Sequence, residues 1–213
     1  MSVLADLRDA GVIATLRAPS VEAALGAVEA LIAGGIRAVE VTYTTPNVPE
    51  VLRALKERHG DEVLLGAGTL LDVHQAAEAA DAGAEYLVSP GLDDELVAAM
   101  QATGKVTMAG AMTPTEVMRA RRLGVDVVKL FPGSLGGPAH LKALRAPLPD
   151  LAYMPTGGVS ADNLHEWFAA GAIAVGAGGE LCPGASLAEG RYDDIRERAQ
   201  RFAAALDACR AAA

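Results

Sequence analysis

The sequence has little of what disulfide-rich or metal-binding scaffolds require. Its 213 residues include two cysteines, Cys182 and Cys209, which are too few for a disulfide framework and fit a reducing compartment. The four histidines share no spacing typical of metal ligands. We therefore expect a protein without a metal site.

Basic charge and long apolar runs are also scarce. The 18 Lys and Arg residues are outnumbered by 27 Asp and Glu residues, and the formal net charge is −9. No basic stripe is present to contact the phosphates of a nucleic acid. No apolar run approaches the roughly 20 residues of a membrane span, and the charged N-terminus has no signal-peptide pattern. We therefore expect a cytoplasmic protein that binds neither nucleic acid nor membrane.

Hydrophobic residues, by contrast, make up 51% of the chain, enough for a large core. A short β-branched run, a turn, an alanine-rich amphipathic segment and a glycine recur along it. The predicted strands are 12–17, 38–43, 63–69, 86–89, 106–109, 125–131, 152–156 and 172–176. The predicted helices are 20–33, 47–58, 72–82, 93–103, 114–123, 137–145, 161–170 and 191–211, with a short helix over the first nine residues. No linker or shift in composition divides the chain, so 1–213 is predicted to be a single domain.

Strict alternation of strand and helix predicts an α/β fold with a parallel sheet and helical crossovers. Eight units of about 27 residues favour a closed (β/α)8 TIM barrel. A doubly wound open sheet is the alternative, but the first strand lacks the Gly-x-Gly-x-x-Gly turn common in that fold. Barrels place their chemistry at the carboxyl ends of the strands, so the polar residues there are the candidates for a site.

One lysine interrupts the most strand-like run of the chain. Lys129 lies within the apolar segment 125–132 and is one of four lysines in the sequence. Burial disfavours the charged form of an amine, and a neutral amine can attack a ketone to form a Schiff base. A structural lysine, paired with a buried acid or reaching solvent with its head group, is the alternative.

Glu40 interrupts the apolar run 38–43 in the same way. A carboxylate there is costly unless it is paired or functional. It could pair with an arginine such as Arg37 or Arg17. If it points into the same barrel mouth as Lys129, it could instead serve a Schiff base as a proton shuttle.

Two glycine-rich segments follow the last two strands, where barrels commonly bind phosphate. Thr156-Gly157-Gly158 follows the seventh strand, and Gly178-Gly179 the eighth. Glycines there let backbone N–H groups approach an anion, although tight turns alone would also explain them. Arg17, after the first strand, could add a guanidinium or form a structural ion pair. Thr69 could offer a hydroxyl or simply continue the third strand.

Five blocks of these residues together resemble a known family. The blocks are Val39-Glu40-Val41-Thr42, Gly66-Ala67-Gly68-Thr69, Val88-Ser89-Pro90-Gly91, Val128-Lys129-Leu130-Phe131-Pro132 and Pro155-Thr156-Gly157-Gly158. In this order they resemble the bacterial 2-keto-3-deoxy-6-phosphogluconate (KDPG) aldolases. That family shares its barrel with the 4-hydroxy-2-oxoglutarate (KHG) and 2-keto-3-deoxy-6-phosphogalactonate aldolases. The resemblance spans nearly the whole chain, from Leu16 to Asp193.

The resemblance implies a class I pyruvate aldolase that cleaves KDPG reversibly to pyruvate and glyceraldehyde 3-phosphate. Such a lyase uses a covalent lysine Schiff base, needs no metal or other cofactor, and is usually a homotrimer. Lys129 matches the Schiff-base residue and Glu40 the general acid/base. The candidate substrate-binding residues are Arg17, Thr69 at the pyruvate end, Pro132, Thr156, and the phosphate-binding glycines Gly157, Gly158, Gly178 and Gly179.

Two positions depart from the family pattern. Many members carry an arginine where this chain has Thr44, and a Gly-Ser pair where it has Gly179-Glu180. One cation and one hydroxyl are therefore missing. Leu16-Arg17 and the segment 136–144 instead resemble the phosphogalactonate branch, so KHG or phosphogalactonate aldolase is the alternative substrate assignment. A phosphosugar isomerase and a non-catalytic phosphate-binding barrel are the alternatives of another class.

Overall fold

The computed structural model describes residues 2–212, in which eight parallel strands alternate with helices. The strands are β1 (Val12–Leu16), β2 (Ala38–Thr42), β3 (Leu64–Gly68), β4 (Tyr86–Val88), β5 (Val106–Ala111), β6 (Val127–Leu130), β7 (Ala152–Pro155) and β8 (Val175–Ala177). The α-helices are α1 (Val3–Ala10), α2 (Val21–Ala33), α3 (Val48–His59), α4 (Val73–Asp81), α5 (Asp94–Ala102), α6 (Pro114–Leu123), α7 (Gly137–Arg145), α8 (Leu164–Ala169), α9 (Gly184–Ala188) and α10 (Tyr192–Ala211). Short 3-10 helices cover Gly133–Leu135 and Ala161–Asn163.

The strands form one sheet that curls into a barrel. Their order is β7-β6-β5-β4-β3-β2-β1-β8, with every neighbouring pair parallel. A parallel bridge between Thr156 and Gly176 brings the two edges together. The prediction of a (β/α)8 barrel is therefore confirmed, and the carboxyl ends of all the strands meet at one mouth.

Local sequence explains where several helices begin and end. The side chains of Ser20 and Asp72 cap α2 and α4, and Thr113 with Glu116 forms a capping box at α6. Gly124 ends α6 in the left-handed conformation that glycine adopts without strain. These signals lie within a few residues of each helix end and are therefore local.

Apolar residues fill the barrel interior and the layer between the strands and the helices. The interior cluster contains Ile13, Tyr86, Met108 and Met154, among others, and Leu7 of α1 packs against it with no exposed surface. The short helix α1 therefore closes the end of the barrel opposite the mouth. No helix within residues 2–212 combines the length and the apolar character needed to cross a bilayer.

Three features depart most from the sequence-based prediction. β8 spans Val175–Ala177 and not 172–176, because the N–H of Ala172 donates to the Trp167 carbonyl and ends α8. The helix predicted over 161–170 begins as a 3-10 helix before α8. Helix α9, which begins at the glycine of a Pro183-Gly184 pair typical of a turn, was not predicted.

Candidate active site

Two charged side chains meet inside the barrel. Lys129 of β6 lies with its Nζ 3.1 Å from Oε1 of Glu40 on β2. The Lys129 side chain is 3% exposed and that of Glu40 is fully buried. Each charge compensates the other, which is what allows both into an apolar interior. Glu40 thus pairs with Lys129, whereas an arginine partner was also possible from the sequence.

Strand β3 leaves room for this pair because its inward-facing positions are glycines. A Cβ on Gly68 would collide with the carboxyl group of Glu40. A Cβ on Gly66 would collide with the ring of Tyr86 from β4. The Glu40 carboxyl and the Tyr86 ring therefore both lie across β3. The negative charge of Glu40 adds to burial in raising the pKa of Tyr86 well above its usual value.

Two neighbours of the pair were not singled out from the sequence. The hydroxyl of Thr15 on β1 donates to Oε2 of Glu40 over 3.5 Å. The ring centroid of Phe131 lies 5.6 Å from Nζ of Lys129. Side chains alternate along a strand, so Phe131, two positions beyond Lys129, could have been placed on the same face.

A cavity of about 140 Å³ opens beside the pair at the barrel mouth. We call it the mouth cavity. It is lined by Thr15, Arg17, Phe131, Thr156, Gly157, Gly158, Val159, Gly178, Gly179 and Glu180. Six of the eight predicted substrate-binding residues line it. The other two, Thr69 and Pro132, are half-buried and lie outside this lining.

Charges are distributed unevenly around the mouth cavity. Arg17 is exposed, forms no ion pair with any residue of 2–212, and places Nη1 3.7 Å from where a Cβ on Gly178 would stand. The Glu180 side chain is 66% exposed, and its Oε2 lies 4.0 Å from Nη1 of Arg198. The mouth cavity therefore presents a cation without a partner beside an acid that faces another cation.

Thr156 places a polar atom at the inner wall of the mouth cavity. Its side chain is 5% exposed, and its hydroxyl finds no hydrogen-bond partner within the described part of the chain. The hydroxyl packs on Gly176 so closely that a Cβ there would collide with it. A buried hydroxyl without a protein partner is suited to bind a ligand group.

The turn after β7 owes its shape to two glycines. Gly157 and Gly158 have φ angles of 94° and 72°, which side chains rarely adopt. Asn163 ties this turn to the following helix, since its Nδ2 donates to the Gly158 carbonyl over 2.8 Å and its Oδ1 accepts from the Ser160 N–H. The backbone beside the mouth cavity is therefore held in place before any ligand arrives.

Other reactive groups do not offer a second chemistry at this mouth. Burial raises the pKa of the Cys182 thiol to about 12, so it is protonated near neutral pH. Among residues 2–212, no three His, Cys, Asp or Glu side chains converge as metal ligands would. The Lys129–Glu40 pair is therefore the candidate for the catalytic groups at this mouth.

A buried amine beside a carboxylate, at the carboxyl end of a parallel barrel, is the arrangement that an enzyme of the lysine-dependent aldolase type requires. Comparison with known proteins gives the family. The chain belongs to the KDPG and KHG aldolase family, whose model matches residues 3–198. The predicted family and the predicted enzyme class, a lyase, are confirmed.

Individual relatives agree with this membership. The chain is 39% identical to a 2-dehydro-3-deoxy-phosphogluconate aldolase of Treponema pallidum over 85% of this chain and 86% of the relative. It is 36% identical to the 2-dehydro-3-deoxy-6-phosphogalactonate aldolase of Escherichia coli over 79% and 83% of the two chains. The KDPG aldolase of Legionella pneumophila, solved with pyruvate captured as a covalent carbinolamine, superposes with a TM-score of 0.87 at 30% identity over 95% and 98%.

Proposed function

We propose that this chain, as one domain spanning 1–213, cleaves KDPG to pyruvate and glyceraldehyde 3-phosphate through a Schiff base on Lys129. The observation that carries the proposal is the 3.1 Å contact between the buried Lys129 amine and the Glu40 carboxylate. A positioned amine and a proton acceptor at the same point are the two groups that an aldol cleavage through an iminium requires.

The ammonium of Lys129 first passes a proton to the Glu40 carboxylate, and the neutral amine adds to the C2 ketone of the substrate to give a carbinolamine. Glu40 returns that proton to the carbinolamine hydroxyl, which leaves as water and gives an iminium ion. The positive charge of the iminium accepts the electron pair of the C3–C4 bond when that bond breaks. Protonation of the resulting enamine at C3, followed by hydrolysis, returns pyruvate and the free amine. Each step conserves charge with no oxidant, metal or other cofactor.

Glu40 moves the protons in this scheme. Its carboxylate takes the proton of the C4 hydroxyl as C3–C4 breaks, so that the aldehyde leaves as a neutral molecule. The same group then returns a proton to C3 of the enamine. The hydroxyl of Thr15, 3.5 Å from Oε2, orients the carboxyl group for this transfer.

The mouth cavity provides the binding groups for the rest of the substrate. The backbone of Gly157, Gly158, Gly178 and Gly179, together with Arg17, binds the phosphate. Thr156 offers its unpartnered hydroxyl to a substrate oxygen. At the pyruvate end, Thr69 and Pro132 border the Schiff base.

Phosphogalactonate aldolase is the second candidate function. The chain carries Thr44 in place of the arginine common among KDPG aldolases, and a relative of this activity is 36% identical. The two substrates differ in configuration at C4, so the rates of cleavage of both epimers decide between them. Cleavage of KHG in the same assay gives the contribution of the phosphate.

We also propose a cytoplasmic homotrimer. Both cysteines are free thiols, as in a reducing compartment. Leu71, Met118 and Leu135 expose 72%, 50% and 74% of their surface, and apolar side chains of this size are candidates for burial between copies. Light scattering should give about three times the 21.8 kDa chain mass, and a mass equal to one chain at micromolar concentration would refute the trimer.

Borohydride trapping tests the Schiff base directly. Sodium borohydride added with pyruvate should leave a reduced pyruvyl adduct on the peptide that contains Lys129, as identified by mass spectrometry. Lys129→Met should abolish both the adduct and turnover, whereas Lys142→Met, on the surface helix α7, should change neither. An adduct on another lysine, or turnover retained in Lys129→Met, would overturn the proposal. A phosphosugar isomerase or a non-catalytic binding barrel would give no adduct.

A further inference from the structure

The loop that follows β8 carries an acid at the place where an anion is expected to bind. Gly178, Gly179 and Glu180 line the mouth cavity together. The loop turns sharply, since the Gly178 carbonyl accepts from the N–H groups of Leu181 and Cys182 over 2.9 Å and 2.8 Å. A carboxylate fixed this close to a dianion would oppose its binding.

An arginine of α10 holds this loop from outside the mouth cavity. Nη1 of Arg198 donates to the Glu180 carbonyl over 2.8 Å and lies 4.0 Å from Oε2 of the same residue. The Arg198 side chain is only one-third exposed. One guanidinium therefore fixes the backbone of Glu180 and attracts its carboxylate.

The neighbouring acid does not compete strongly for Arg198. The Asp194 carboxylate accepts from Nε of Arg191 over 2.8 Å and from the Ser186 hydroxyl over 3.0 Å. These two contacts, ahead of the more distant charge of Arg198, hold the pKa of Asp194 below its usual value. Arg198 is thus left to act on Glu180.

We propose that Arg198 is a specificity-determining positioning residue, which draws the Glu180 carboxylate toward α10 and so keeps the mouth cavity open to a phosphorylated substrate. The inference rests on the proposed function. It explains how a chain with an acid after its glycine pair still binds a dianion. Arg198 itself touches no reacting atom and acts through the position and charge of Glu180.

A double-mutant cycle of Arg198→Ala and Glu180→Gln, with each single variant and the double variant, separates this role from a merely structural one. Arg198→Ala should raise KM for KDPG roughly fivefold, the scale of a charge interaction at a half-exposed site, while kcat and the KM for KHG stay within about twofold. Glu180→Gln in the Arg198→Ala background should restore KM for KDPG, because the amide is uncharged and does not repel the phosphate. Arg201→Ala, also on α10 but with no hydrogen bond or ion pair to the loop, is the matched control and should match wild type. Circular dichroism melting of each variant verifies folding.

Binding of inorganic phosphate, measured by titration calorimetry, makes the test independent of turnover. Phosphate should bind Arg198→Ala more weakly than wild type, and the double variant should regain affinity. Losses of equal size on KDPG and KHG, or a loss that Glu180→Gln does not rescue, would overturn the inference while leaving the aldolase intact. Phosphate binding that follows the cycle in a protein that neither traps pyruvate nor cleaves KDPG would instead support the inference and refute the aldolase.

Discussion

Lys129 and Glu40 are 89 residues apart in the sequence, and their Nζ and Oε1 atoms lie 3.1 Å apart in the barrel. Neither side chain exposes more than 3% of its surface. Taking two charges out of water is costly, and removing one member of such a pair leaves the other uncompensated. The pair is therefore a source of chemistry and also a liability for stability.

The first prediction concerns that liability. Lys129→Met should lower the free energy of unfolding by about 3 kcal/mol or more, because the Glu40 carboxylate stays buried without a counterion. The Lys129→Met/Glu40→Gln double variant should lose less than the sum of the two single losses. Urea unfolding followed by circular dichroism measures all three. Strict additivity would show that the two residues are not energetically coupled.

The second prediction separates covalent chemistry from proton transfer. Glu40→Gln keeps the shape of the side chain but cannot carry a proton, so borohydride should still trap pyruvate on Lys129. Exchange of the pyruvate methyl protons with deuterated water, followed by NMR, should slow by about 10²–10⁴-fold. Glu197→Gln, on the outer face of α10, serves as the control and should exchange like wild type. An unchanged exchange rate in Glu40→Gln would assign the proton transfer to another group.

The third prediction tests the close approach of Glu40 to β3. Gly68→Ala places a methyl group where the carboxyl group lies, so the Lys129–Glu40 contact has to break or shift. We expect kcat to fall by at least about 10²-fold, as expected for a misplaced acid/base, with a measurable loss of stability. Gly184→Ala is the matched control, since a Cβ there meets no atom within 4 Å. Wild-type kcat in Gly68→Ala would mean that the position of Glu40 is not critical.

The barrel could be predicted from the sequence because its signals are local and repeated. Most strand–helix units repeat an apolar period and a terminating glycine, and several helices begin at a side-chain cap, so an error at one boundary does not change the fold. The predicted start of β8 was wrong because the N–H of Ala172 donates a hydrogen bond to the Trp167 carbonyl of α8. Tertiary packing decides whether these residues end the helix or start the strand, and this packing cannot be predicted from a single sequence.

The candidate site could be predicted only in part, for the same reason. Lys129 and Glu40 stood out as charges within apolar strands, and the structure brings them together. The contact of the Tyr86 ring with Gly66 and that of Glu180 with Arg198 could not be predicted, because they depend on how β3 and β4 lie side by side and on how α10 packs against the barrel. Gly66 and Gly68 were noted as part of a family block, but their physical role is visible only from the side chains that lie across them.

The fourth prediction follows from the buried phenol below Glu40. Tyr86 is fully buried, and its hydroxyl has no hydrogen-bond partner within residues 2–212. Tyr86→Phe removes an unsatisfied polar group and should stabilise the fold by about 1 kcal/mol, which is about 2–4 °C in Tm for a chain of this length. Tyr43→Phe should have the opposite sign, since the Tyr43 hydroxyl donates to the Gln75 carbonyl and to Glu78. A lower Tm in Tyr86→Phe would show that the hydroxyl is bound in solution.

The last prediction concerns Arg17 and the substrate. Arg17 borders the mouth cavity without an ion-pair partner among residues 2–212, while Glu180 faces Arg198. Arg17 is thus placed to supply the cation that Thr44 does not. Arg17→Ala should raise KM for KDPG by at least about tenfold, the scale of one charge-assisted hydrogen bond, and KM for KHG by much less. Arg37→Ala, just before β2 at the opposite end of the barrel, is the matched control.

Steady-state kinetics on both substrates in wild type, Arg17→Ala and Glu180→Ser decides between the possible roles of this arginine. Because KHG has no phosphate, only a phosphate contact predicts unequal losses on the two substrates. Equal losses in Arg17→Ala would show that the guanidinium binds the carboxylate that both substrates share. Glu180→Ser should leave KM for KHG unchanged and lower KM for KDPG only slightly, since Arg198 already draws this acid away from the phosphate end. A wild-type enzyme that prefers KHG outright would refute the phosphate assignment and make the KHG activity the primary one.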